Sequence, residues 1–258
     1  LEQSGDKKNV LLDNKMNRST IRPLLHAVLG SIAETLKADS LELDIVATLP
    51  FDASTEQRDQ MQKLLAGTRE IDCIISGASY VVPIKVGRIH LASEGLCSWM
   101  NYVLDDYGQI KKENLAAKKV LVGSLGLYHL NLVMVDGLRL IGRPISRSVP
   151  YGLSIAHEAL CRKLSGGQMW EVDELARKGE IDGGEAFSQL ADQVNNVVDN
   201  MLSRMVGRPD LYYWTGGGGV ALYKWLKQED KMLSPSPVMD DAEGARKLAA
   251  TLWHKVEV

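Results

Sequence analysis

Four consecutive glycines, Gly216 to Gly219, stand between two apolar runs, and no other feature of this chain constrains its fold as tightly. Before them, Leu211-Tyr212-Tyr213-Trp214 reads as a short strand; after them, a helix is expected from Gly218 to Lys227. Glycine lets a backbone turn sharply or approach another group closely, and four in succession carry an entropic penalty that a plain turn does not require. The N–H groups at the start of the following helix favour phosphates. The local expectation is therefore a strand, a glycine cradle and a helix that hold a nucleotide, weighed against a tight turn with no ligand.

Around this feature the chain alternates helix and strand signals. Leu24, Leu25, Val28, Leu29, Ile32 and Leu36 recur at helical spacing, and Leu41, Leu43 and Ile45 alternate with polar residues as a strand. A helix from Ser54 to Leu65, strands at 71–75 and 80–89, and a helix from about Glu94 to Leu104 follow. Lys119 to Leu125 and Leu130 to Val135 read as successive strands, and Asp136-Gly137 predicts a hairpin into Leu138 to Ile141. Helical periodicity then marks 152–164, 169–178 and 185–206, and a closing helix begins at Asp241.

At 258 residues, with 45% apolar and 24% charged side chains, the chain is long enough for two lobes around real cores. A formal charge of -3 offers no electrostatic footprint for a phosphate backbone, so nucleic acid is not an expected direct ligand. No apolar run approaches the roughly 18 to 20 residues of a spanning helix, no signal-peptide layout opens the chain, and Cys73, Cys97 and Cys161 read as reduced thiols. The expected location is the cytoplasm, with no membrane partner. The histidines are scattered, and His157-Glu158 lacks the second histidine of a zinc helix, so no metal-ligating side chain is assigned. Leu164-Ser165-Gly166-Gly167-Gln168 matches the signature loop of ABC ATPases, but the phosphate loop those domains need is missing, and a helix-ending turn is the better reading. The five tryptophans, Trp99, Trp170, Trp214, Trp225 and Trp253, are expected in cores or at a lobe interface.

Thr215-Gly216-Gly217-Gly218, between a hydrophobic strand and an Ala-Leu helix, resembles the adenosine motif of the actin and sugar-kinase superfamily. Phe187, Leu190, Val194, Val197, Val198 and Leu202 lie on the long helix that leads into that strand, and the segment from Ser236 to Ala245 resembles the family's closing segment. From about residue 41 onward the chain is similar to the actin-like ATPases, and most to the plasmid-segregation filament proteins of the ParM/StbA type. The resemblance implies an α/β, actin-like (ribonuclease H-like) fold with two lobes and a nucleotide cleft between them. Lobe I would be residues 1–115, incomplete at its N-terminus, lobe II residues 116–239, and residues 240–258 a helix returning to lobe I.

The same resemblance implies the site. ATP or GTP with Mg2+ would meet Thr215, Gly216, Gly217, Gly218 and Gly219, the second phosphate hairpin at Ser124 and Gly126, and Gly152 and Glu158 on the neighbouring helix. Glu94 would orient the attacking water, against the simpler reading of an acid in the first turn of a helix. The hairpin departs from the family pattern: Ser124, His129 and Asn131 stand where carboxylates or a threonine are usual, which puts magnesium binding in question. The first phosphate hairpin, an Asp-x-Gly strand pair, is not found in residues 1–20, so either an N-terminal portion lies upstream or this member has lost it. The implied function is an ATP-dependent filament former of plasmid or DNA segregation, self-associating and served by an adaptor that binds DNA. The alternative is a catalytically degenerate scaffold that does not hydrolyse ATP. A small-molecule kinase shares the glycine motif and ranks lower, because the flanks resemble ParM.

Overall fold

The structure is a computed structural model that describes residues 18–75, 77–164, 166–205 and 207–253. The chain forms two compact units, Leu1–Leu49 with Ala53–Leu91, and Pro50–Asp52 with Ala92–Val258. In the first, α1 (Arg18–Leu36) is followed by β1 (Leu41–Leu49), α2 (Thr55–Leu65), β2 (Gly67–Ile75) and β3 (Ala78–Ser93), and the sheet order is β1-β3-β2. Ser54 caps α2 by accepting from Gln57 N–H, and the Gln57 side chain closes the box on Ser54 N–H. Val82, Ile84 and Val86 point inward at every second position of β3, and the first two pack with Ile71, Cys73, Leu29 and Ala33. The α1 contact is narrower than its apolar stripe suggests: Ala33 is buried at the sheet, while Leu24, Val28 and Leu36 are exposed.

The second unit begins with α3 (Leu96–Val103) and a single turn, α4 (Glu113–Ala116). Then come β4 (Lys119–Leu125), β5 (Leu130–Asp136), β6 (Arg139–Ile141), β7 (Arg147–Val149), α5 (Leu153–Lys163), α6 (Met169–Lys178), α7 (Gly184–Leu202), β8 (Leu211–Thr215), α8 (Gly216–Leu222), β9 (Lys231–Leu233) and α9 (Asp240–Trp253). The sheet runs β6-β5-β4-β8-β9, with β7 on β5. Strands β4 and β5 are antiparallel neighbours, and β4 and β8 are parallel, with Ser124 opposite both Asn131 and Thr215. Both faces are covered, which is why β4 and β5 read as unbroken apolar runs instead of alternating.

Alternate residues of these strands feed two cores. Leu121, Leu125, Leu132, Met134 and Trp214 pack with Leu190, Val194 and Val198 of α7, whereas Val120, Val122, Val133, Val135 and Tyr213 pack with Trp99 and Val103 of α3. The Trp214 ring lies over Gly123 so closely that a Cβ there would be 2.4 Å from it. Helix α9 lies on α3 with backbone against backbone, a Cβ on Gly244 falling 1.7 Å from the Cys97 carbonyl oxygen. Burial at this contact pushes the Cys97 thiol up to about 12.

Two expectations change. The glycine run does not precede its helix but forms the first turn of α8, and a 3-10 turn at Tyr223–Trp225 ends the segment before Lys227. The short strands β7 and β9, three residues each, carry too little pattern to be read from sequence. His254 and the outer ends of the expected lobe divisions, residues 1–17 and 254–258, lie outside the described residues. Because α3 and α9 leave no room for a methyl group, Gly244→Ala is expected to lower unfolding stability by about 1–3 kcal/mol, read from urea denaturation.

Candidate functional site

The site is built where β4 and β8 end side by side. Thr215, the last residue of β8, turns its side chain inward: its hydroxyl donates to Asp240 Oδ2 at 2.6 Å, with the Pro237 carbonyl oxygen at 3.0 Å. Gly216 N–H donates to the same Pro237 oxygen at 2.9 Å. Gly216 has φ +80°, and a Cβ there would lie 2.3 Å from the Leu125 carbonyl oxygen; a Cβ on Gly218 would lie 2.5 Å from the Leu125 side chain. Gly217 faces open space, with nothing within 4 Å of its Cβ direction, and Gly219 makes ordinary contacts. Two glycines thus let α8 close onto β4, and one borders open space.

Beside them is a cavity of about 1270 Å³ inside the second unit. Of the residues proposed from sequence, Gly126, Glu158, Gly217 and Gly218 line it. Ser124, Thr215, Gly216, Gly219, Gly152 and Glu94 do not, and each has another place. Gly152 lies against the β4–β5 turn, where a Cβ would be 2.3 Å from the Leu127 carbonyl oxygen. The next residues continue that contact, Leu153 N–H donating to Gly126 O at 3.1 Å and Ser154 N–H to Leu127 O at 2.8 Å. Gly152 therefore seats α5 on the turn that carries Gly126. Ser124 Oγ donates to Asp241 Oδ2 at 3.4 Å, and Glu94 Oε2 accepts from Asn131 Nδ2 at 2.7 Å.

Residues that sequence reading did not assign complete the cavity. Trp170, expected in a core or an interface, is 65% exposed and borders the cavity from the first turn of α6, while Trp99 and Trp214 are buried as expected. Trp170 sits in the first turn of α6, just after the start of the Gln168–Glu171 capping box, and Gly167 and Gln168 of the Ser-Gly-Gly loop border the same cavity. His157 on α5 is buried in the wall, its Nε2 3.3 Å from Asp173 Oδ1, and Asp173 also pairs with Arg177. The other unassigned pair is Asp240 and Asp241 at the start of α9. Asp240 accepts from Asn101 Nδ2 at 2.8 Å, Tyr213 hydroxyl at 3.1 Å and Thr215. Asp241 Oδ1 accepts from Gly95 N–H at 2.9 Å, Ser98 N–H at 3.2 Å and Ser98 Oγ at 2.8 Å. Consecutive acids at a helix start were the sequence signal for this pair.

Burial sets the electrostatics. It pushes the Asp241 carboxyl above its ordinary value, against the Ser98 and Gly95 hydrogen bonds that pull it down, and it pushes the Tyr213 hydroxyl up as well. It holds His157 below its ordinary value, with Asp173 acting in the opposite sense. For magnesium the donor set is poor. Ser124 and Asn131 bring neutral side chains, the Asp241 carboxylate is taken up by protein donors, and no three acid, histidine or cysteine side chains converge among the described residues. These residues do not fit a protein-held magnesium ion.

Two tests separate the roles. Gly217→Ala is expected to change stability by no more than about 0.5 kcal/mol, whereas Gly216→Ala, strained at positive φ and pressed on Leu125, costs about 1–3 kcal/mol in denaturant titrations. Burial lowers the affinity of His157 for a proton in the fold, so its contribution to stability is full above the ordinary histidine value and is lost as pH falls from there through the folded value. The wild-type chain is therefore expected to lose stability on acidification more steeply than His157→Gln, measured as thermal midpoints across that range.

Comparison with known proteins gives neither a matching family model nor a matching curated relative. Solved structures do match. The apo pSK41 ParM protein is 17% identical, with 95% of this chain and 74% of that one covered at a TM-score of 0.69. An archaeal actin homolog is 16% identical, with 89% and 76% covered at 0.70. Bacillus thuringiensis ParM with ATP is 12% identical, with 92% and 74% covered at 0.62. No helix among the described residues is long and apolar enough to cross a membrane. The mixed α/β architecture, the β4–β8 pairing and these matches lead to one conclusion: the chain has the actin-like fold.

Proposed function

We propose that this chain is a nucleotide-binding, filament-forming protein of the plasmid or DNA segregation type, and that ATP is its ligand. The observation that carries the reading is the cavity in the second unit that Gly217 and Gly218 share with Gly126 and Glu158. In this reading the glycine turn of α8 and the β4–β5 turn face the phosphates and ribose through backbone N–H groups, and Glu158 accepts from ribose hydroxyls. Thr215, Gly216 and Gly219 shape the turn, Ser124 and Gly152 hold its two neighbours, and Glu94 orients the water for in-line attack. Residues 1–115, 116–239 and 240–258 correspond to lobe I, lobe II and the returning helix; the packing of α9 on α3 supports that last assignment. Self-association into filaments, an adaptor that binds DNA and a cytoplasmic setting belong to the same proposal, and the similarity to ParM structures supports it.

One observation favours a second reading, a catalytically degenerate scaffold or partner-binding relative that binds nucleotide weakly or not at all and does not hydrolyse ATP. Ser124 stands where a carboxylate would help hold magnesium, and its hydroxyl is engaged by Asp241. Calorimetric titration with Mg-ATP and with Mg-GTP, followed by light scattering and pelleting, decides between them. Micromolar ATP binding, phosphate release and ATP-dependent pelleting are expected. Weak or absent binding with no phosphate release would favour the scaffold and overturn the filament former, and micromolar binding with phosphate release would overturn the scaffold.

A further inference from the structure

Helix α3 has no cap of its own. Its N-cap residue is Gly95, at φ +80° and without a side chain, so the first N–H groups of the helix need an acceptor from elsewhere. Asp241 supplies it from 146 residues further along the chain: one oxygen, Oδ1, accepts from Gly95 N–H at 2.9 Å, Ser98 N–H at 3.2 Å and Ser98 Oγ at 2.8 Å. Its other oxygen meets Ser124 Oγ at the end of β4. Glu94 directly precedes Gly95, so the carboxylate fixes the backbone from which the Glu94 side chain leaves. That side chain has a second anchor, Asn131 Nδ2 donating to Glu94 Oε2 at 2.7 Å while Asn131 Oδ1 accepts from Ser148 Oγ. The neighbouring Asp240 accepts from Thr215 Oγ1 at 2.6 Å, at the threshold of the glycine turn. One turn of α9 thus grips the start of the glycine turn with one carboxylate and the start of α3 with the next.

We propose that Asp241 is a positioning residue for Glu94, and that Asp240 ties this placement to the glycine turn. A carboxylate suits the task because it only accepts, and because a negative charge at a helix N-terminus makes strong, short hydrogen bonds. Alanine would leave the Gly95 and Ser98 N–H groups without their acceptor and free Glu94 to shift; asparagine keeps one acceptor oxygen. The proposal rests on the assignment of Glu94 made above, and the test separates the two.

ATP affinity and single-turnover phosphate release are measured for the wild-type chain, Asp241→Ala, Asp241→Asn, Ser98→Ala, Glu94→Gln and the Asp241→Ala/Glu94→Gln pair. Because misplacement by about 1 Å can slow a reaction by about 100-fold, Asp241→Ala is expected to slow release about 10- to 100-fold while affinity stays within about threefold. Asp241→Asn recovers part of the loss. The double variant is no slower than Glu94→Gln alone, since placement matters only when the carboxylate is there to be placed. Losses that multiply in the double variant, or affinity falling in step with rate, overturn the proposal. Inactive Glu94→Gln beside fully active Asp241→Ala overturns this proposal alone. Fully active Glu94→Gln, or a wild-type chain that releases no phosphate, overturns the Glu94 assignment and this proposal with it. Should Asp241→Ala fail to fold, Asp241→Asn and Ser98→Ala carry the same expectation, slower release at unchanged affinity, and full activity in both overturns it.

Discussion

The parallel pairing of β4 with β8 is the constraint on which the second unit depends. With Ser124 opposite Thr215, both strands end at the same level, and the residues that follow, Leu125-Gly126 on one and Gly216 to Gly219 on the other, must share one small space. At two of these positions a side chain would not fit. Gly216 presses on the Leu125 carbonyl and Gly218 on the Leu125 side chain, so the turn closes only because those positions carry no Cβ. The pairing also fixes the layers. Alternation along β8 sends Tyr213 to the α3 face and Trp214 to the α7 face, and it sets Gly123 under the Trp214 ring.

A second consequence is electrostatic. Strand ends expose polar groups, and here they are gathered by two consecutive carboxylates on the first turn of α9. Buried or half-buried carboxylates persist only where donors surround them, and Asp240 and Asp241 are met by Asn101, Tyr213, Thr215, Ser98 and the Gly95 N–H. The raised carboxyl of Asp241 shows that these donors do not fully offset the burial.

Much of this was legible in the residues. The strands at 119–125 and 130–136 announce themselves by apolar runs bounded by turn signals, and the glycine motif announces a close approach, because short-range sterics and periodicity act between neighbours in sequence. The site was only partly legible. Gly126, Glu158, Gly217 and Gly218 come together around the cavity, while Gly152 proves to be a packing glycine under the β4–β5 turn. Trp170 could not be told from a core tryptophan, since composition does not say which side of a helix start meets the core.

Sequence by itself determined the order of elements, the place of the glycine turn and the presence of Ser124, His129 and Asn131 beside the β4–β5 turn, since each is written in contiguous residues. Only the tertiary structure decided which glycine faces open space and which serves packing, and which carboxylates meet the ends of β4 and β8. Asp241 reaches Gly95 and Ser124 across more than a hundred residues, and His157 meets Asp173 across a helix pair. Such pairings arise from the way α9 lies on α3 and α6 on α5, and no local pattern encodes the distance between side chains that only packing brings together.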